Sequence, residues 1–190
     1  MSIEALVEDS LGLLQKSRFD ASMSLACACL DATATKEFGE KVGYRWKMFT
    51  RSRMDIISSV GFGGALLVAP GVNLNIKNPA KPSETVPFES VIYKTIRCFL
   101  VHGASLPPGV EFTPDAFYGE RNGIFHIPSN MILALVLAVV SSPSNAGRVM
   151  GIDFQITLSG KKIGINKLWG KTSELRGAIS ANPVSTGAQP

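Results

Sequence analysis

Arg97 and His102, five positions apart within Phe88–Gly103 (FESVIYKTIRCFLVHG), are the residues whose types and spacing could do chemistry. An arginine keeps its charge in almost any surroundings and grips oxyanions with a planar fork of donors, while a histidine moves protons near neutral pH. Wound at about 100° per residue, the stretch puts Phe88, Val91, Ile92, Ile96 and Phe99 on one face and Arg97 on the other. On that far side stand Tyr93, Leu100 and Val101, so from Ile96 onward the helix reads as covered by protein all round. A covered guanidinium needs a carboxylate, a second subunit or an anionic ligand. His102 closes the helix before Gly103, where unpaired carbonyls favour the imidazolium. On a regular helix the two residues lie about 140° apart. One site holding both requires a frayed helix end or a two-fold partner.

A second concentration of charge is Lys41, Arg45, Lys47, Arg51 and Arg53, on a helical stretch from about Tyr44 to Ser58. It is either a solvated helix face or a phosphate-tracking surface. In the second case Arg45, Lys47 and Arg51 are the nucleic-acid-binding candidates, and Tyr44 and Trp46 could stack on bases. His126 has no metal-ligand or triad companions and reads as a structural residue. Cys27, Cys29 and Cys98 have no metal-ligand spacing and read as reduced core thiols, so no metal and no cofactor is expected. Gly61-Phe62-Gly63-Gly64 lacks the Gly-Lys-Ser/Thr of a phosphate loop and reads as a turn.

These residues need a scaffold, and helices dominate it. Ile3–Gln15 and a second helix running to about Phe38 carry apolar residues at helical spacing, with Ser2 and Asp20 placed as caps. The short link between them predicts an antiparallel pair. Leu66–Ile76 reads as two short strands or an extended excursion, followed by a loop rich in proline, lysine and asparagine, with Pro87 in the first turn of the central helix. The stretch 116–127 reads as a hairpin around Asn122-Gly123, and Met131 to about Ser142 as a buried helix. A second hairpin follows around Ser159-Gly160, then a helical patch at Ser173–Ile179. One domain over 1–179 is expected, with insertions at 61–87 and 104–128, a β-containing extension at 148–179 and a disordered tail at 180–190.

The 190 residues are 45% hydrophobic and carry a net charge of +4. The first forty residues hold seven acids against three bases, and the remainder sixteen bases against eight acids, a surface that could meet a polyanion. The longest apolar run, Met131–Val140, is half of what a membrane span needs, and Glu4, Glu8 and Asp9 stand where a signal peptide carries positive charge. The expectation is a cytoplasmic protein with no membrane association.

An arginine, four residues and a histidine at the end of a long late helix, behind an opening helical hairpin, resembles the HEPN (higher eukaryotes and prokaryotes nucleotide-binding) family. The likeness covers residues 1–142. It implies a mainly α fold, a bundle of about five helices here decorated with short β-hairpins. It also implies a homodimer in which Arg97 and His102 of both protomers line a cleft that, in many members, cleaves RNA without metal. His102 would assist proton transfer as a 2′-hydroxyl attacks phosphate, and Arg97 would stabilise the developing charge. Toxin members pair with a cognate antitoxin protein. Cys98 follows the arginine where many active members have a polar residue. Two readings therefore stand side by side: a metal-independent endoribonuclease, and a catalytically silent module that binds a nucleotide, RNA or protein.

Overall fold

The opening hairpin forms as its periodicity requires. In the computed structural model, which describes residues 1–39, 41–64, 68–103 and 105–180, α1 (Ile3–Gln15) starts on Ser2, whose Oγ accepts the Ala5 N–H. α2 (Phe19–Phe38) packs along it, and the small residues there let the backbones approach. Ser10 Oγ donates to Ser22 O at 2.9 Å and Ser22 Oγ to Ser10 O at 2.7 Å, so two fully buried hydroxyls are satisfied by each other's helix. Asp20 does not cap α2. The helix begins at Phe19, with Arg18 in the cap position and no side-chain bond there.

The expected helix over 44–58 is two helices, α3 (Val42–Ser52) and α4 (Met54–Gly61), which turn at Arg53, where ψ is 21°. No glycine or proline marks the break. Arg53 is buried and bonded to Glu37 of α2, and the turn brings the guanidinium to that carboxylate.

The long central helix is also interrupted. Phe88–Ser90 (α5) and Cys98–Gly103 (α6) are α-helical, but Val91–Arg97 between them is π-helical, and the Cys98 N–H donates five residues back to Tyr93 O. Phe88, Val91, Ile92, Ile96 and Leu100 are buried as expected. The all-round covering is not found, because Phe99 and Val101 are 41% and 51% exposed. A widened turn shifts the phase of everything after it, which a fixed helical repeat does not anticipate.

α7 (Asn130–Val140) is the centre of the molecule, with nine of its eleven residues buried and contacts to α1, α2 and α4. Its final carbonyls are bonded by later chain: Asn145 Nδ2 donates to Val139 O, the Gly170 N–H to Val140 O and Thr172 Oγ1 to Ser141 O. α8 (Thr172–Ser180) follows and packs on α4. Gly170 has φ +76°, and a Cβ there would lie 2.6 Å from the Ala146 Cα. Gly170→Ala is expected to cost about 1–3 kcal/mol of stability from backbone strain, read as a lowered urea midpoint.

Three small sheets flank the helices. β1 (Asn75–Asn78) and β2 (Lys81–Pro87) pair antiparallel, so strands occupy most of the loop expected after Ile76. β4 (Gly119–Arg121) and β5 (Ile124–Pro128) form the expected hairpin on Asn122-Gly123, and β3 (Val110–Thr113) adds to β5 in parallel. β6 (Gln155–Leu158) and β7 (Lys161–Gly164) turn on Ser159-Gly160. The expected fold is observed at the coarse level: helices predominate and small sheets decorate them. The 181–190 part of the expected tail lies outside the described residues, and Ser180 is helical. Among the described residues no helix is long and apolar enough to cross a membrane.

Candidate functional site

Six of the eight arginines have a carboxylate within 4.0 Å: Arg45 on Asp31, Arg51 on Glu89, Arg53 on Glu37, Arg121 on Asp115, Arg148 on Glu4 and Arg176 on Asp55. Arg18 is exposed. Arg97 is half-buried, and among the described residues no ion pair reaches it. Burial without a counter-charge is the costly arrangement for a guanidinium, and it is the arrangement an anion would relieve.

The surroundings of Arg97 are built from three helices. Its Cζ sits 5.6 Å from the centre of the Tyr93 ring, a cation–π contact one turn back along the π segment. Tyr93 leans on Trp46 of α3, ring centres 5.5 Å apart. Trp46 Nε1 donates to Asp31 Oδ1 at 2.7 Å, and the same oxygen accepts from Arg45 Nε at 3.0 Å and Nη2 at 2.8 Å. Asp31, the carboxylate of α2 near this corner, is thus committed to α3. Cys27, one turn earlier on α2, feels the charge of Arg97, but burial pushes its thiol up to about 12, so it stays neutral. Between Glu89 and Glu111 the chain contains no acidic residue.

His102 is exposed on the last turn of α6, and among the described residues it has no hydrogen-bond or ion-pair partner. Among the described residues no hydrogen bond or ion pair joins it to Arg97. Phe99 and Val101 flank it as exposed apolar residues.

The basic surface expected on α3 is mostly consumed by internal pairing. Arg45 is buried on Asp31, and Arg51 donates from Nε to Glu89 Oε1 at 2.9 Å. Lys47 alone of the three candidates is exposed. Trp46 is in the core, while Tyr44 is half-exposed. Stiff, planar arginines suit partly buried carboxylates, which lysine-rich solvated faces do not require. His126 places Nδ1 3.2 Å from Glu111 Oε1, the structural partner its setting called for. The cysteines are free, and among the described residues no group of His, Cys, Asp and Glu could hold a metal.

Two concavities were not anticipated. A groove of about 910 Å³ runs between the α1–α2 turn, α6 and β3, walled by Phe19, Leu25, Leu100, Leu106 and Phe112. Asp20 lies in it, and burial raises its carboxyl above the usual range against the opposing Leu106 N–H. The other, about 420 Å³, lies where the ends of α2, α3 and α7 meet α8. Its polar residues come from positions far apart in sequence, and only the Ser141-Ser142-Pro143-Ser144-Asn145 run after α7 could have drawn attention to it.

A family model described as Rv1289 matches residues 2–188. Over 193 aligned residues the chain is 23% identical to the uncharacterized protein Rv1289 of Mycobacterium tuberculosis (strain H37Rv) and to the uncharacterized protein Mb1320 of Mycobacterium bovis. In each case the alignment covers 97% of this chain and 91% of the relative. No solved structure matches.

Proposed function

The chain belongs to the Rv1289 family, and we propose that it is a HEPN-like module that binds RNA, with Arg97 as the group that receives a phosphate. The observation that carries this reading is that Arg97 is half-buried, supported by an aromatic ring and without a carboxylate, while the other partly buried arginines are all paired. A segment with Lys94, Arg97 and His102 and no acid between Glu89 and Glu111 offers an anion a favourable field. Phosphate contacts of this kind release counterions, so binding must weaken as salt rises.

The test is fluorescence anisotropy of a labelled single-stranded RNA at low salt. Arg97→Ala is expected to weaken binding by about ten- to a hundredfold, the loss of one charge-assisted contact, and to reduce the salt slope. Lys47→Ala on α3 is expected to change binding about twofold at most. Unchanged affinity in a folded Arg97→Ala protein would remove the proposal.

A ribonuclease reading is favoured by one separate observation. His102 is exposed and unpartnered beside exposed Phe99 and Val101, so a second protomer on α6 would both cover those apolar residues and bring a second Arg97–His102 pair alongside. In that arrangement His102 transfers the proton and Arg97 meets the phosphoryl oxygens. A dimer in sedimentation that cleaves RNA in the presence of chelator, with the cleavage lost in both Arg97→Ala and His102→Ala, identifies the enzyme. Binding without cleavage identifies the silent module, and a toxin would in addition arrest growth when induced without its antitoxin.

A further inference from the structure

The pocket of about 420 Å³ at the foot of α7 has the chemistry of a binding site, and it is separate from the Arg97 corner. Arg53 and Arg176 both line it, with Glu37 as the acidic lining residue, and Asp55 pairs with Arg176 at its edge. Arg53 is 6% exposed, and its Nε is buried with no hydrogen-bond partner. Nη1 donates to Ser52 Oγ at 2.8 Å, and Nη2 to both oxygens of Glu37 and to Ser142 Oγ at 3.1 Å. Burial holds this guanidinium below its ordinary value, Glu37 opposes the shift, and the charge of Arg176 adds to it.

Arg176 approaches from α8. Nε and Nη2 hold Asp55 at 2.5 and 3.2 Å, and Nη2 also donates to Ser52 O at 3.1 Å. Nη1 has no partner among the described residues, and the side chain is 38% exposed. Ser144 Oγ, on an exposed residue, bonds Glu37 Oε1 at 3.0 Å, and Thr172 Oγ1 donates to Ser141 O at 2.7 Å. Phe38 and Pro143 give the pocket apolar walls.

We propose that this pocket is a binding site for a small metabolite bearing an oxyanion, phosphate or carboxylate, which sits between Arg53 and Arg176 with its polar remainder toward Ser144 and Glu37. An anion there supplies an acceptor to the free Arg176 Nη1 and separates two guanidiniums that disfavour each other. The volume of about 420 Å³ falls in the range of small-molecule sites.

The experiment titrates the full chain with inorganic phosphate and, separately, with acetate at constant ionic strength, reading heat by calorimetry and line width by phosphorus NMR. Saturable binding of one probe within about 10 mM is expected, and the probe that binds distinguishes the phosphate from the carboxylate source. Arg176→Gln, checked for fold by circular dichroism, is expected to weaken it by about tenfold. If Arg176→Gln does not fold, Ser144→Ala at an exposed position takes its place, with a loss of about two- to fivefold expected. Absence of saturable binding for both probes overturns the proposal, as does equal affinity in the folded variant. Loss in Arg97→Ala instead assigns the anion to α6 and overturns it as well.

Discussion

Arg53→Met is expected to lower the free energy of unfolding by about 3–5 kcal/mol, the cost of leaving a buried charge without its partner. Glu37 is 17% exposed at its side chain and accepts from Arg53, Ser142 and Ser144. Without the guanidinium, two hydroxyls remain to solvate a carboxylate at the closed end of α2. The Arg53–Phe49 stacking, with Cζ 4.1 Å from the ring centre, is largely retained by a methionine side chain, so the loss reports charge more than packing. The double variant Arg53→Met, Glu37→Leu is therefore expected to recover much of that loss, since an apolar replacement of a buried pair is often neutral. Urea unfolding of the two single variants and the double variant supplies the cycle. If Arg53→Met costs under about 1 kcal/mol, or if the two losses simply add, the pair does not hold α2, the α3–α4 turn and the end of α7 together.

That pair also shows where the sequence stopped being informative. Elements defined by local rules were legible: α1, α2, α7 and α8 by apolar spacing, and two hairpins by Asn122-Gly123 and Ser159-Gly160, whose four residues all have positive φ. What depended on distant partners was not. The break at Arg53 exists because Glu37, sixteen residues earlier, receives the guanidinium. The basic cluster on α3 looked like a surface because its acids, Asp31 and Glu89, lie fourteen and thirty-eight residues away. β1 and β2 are drawn from a segment rich in proline and lysine, and they gain support from Tyr118, whose Oη donates to Lys77 O at 2.6 Å. β3 pairs in parallel with β5, and no short-range pattern encodes such a contact. The π segment is invisible for another reason, since nothing in the apolar spacing of Val91–Arg97 marks a widened turn in place of an α-helical one. At the candidate site, the residue type of Arg97 and its need for a partner were readable, but its seat on Tyr93 and the exposure of His102 were not.

Trp46→Ala is expected to cost about 3–5 kcal/mol and to impair the Arg97 site as well, which makes it the sharpest link between core and function. Trp46 is 1% exposed, and its ring supports Tyr93, which in turn supports the Arg97 guanidinium. Truncation removes that backing and one of the three donors on Asp31 Oδ1. Trp46→Phe separates the two effects. It keeps an aromatic ring against Tyr93 while deleting the N–H donor and part of the buried ring volume, for about 1–3 kcal/mol from the lost hydrogen bond to a charged group plus the cavity left behind. If Trp46 acts by holding Tyr93, Trp46→Phe loses stability but binds RNA within about twofold of the parent with the same salt slope, whereas Trp46→Ala, assayed well below its melting temperature, binds as poorly as Arg97→Ala. If both variants bind like the parent, the cation–π seat is irrelevant to the site, and Arg97 reaches its anion without help from α3.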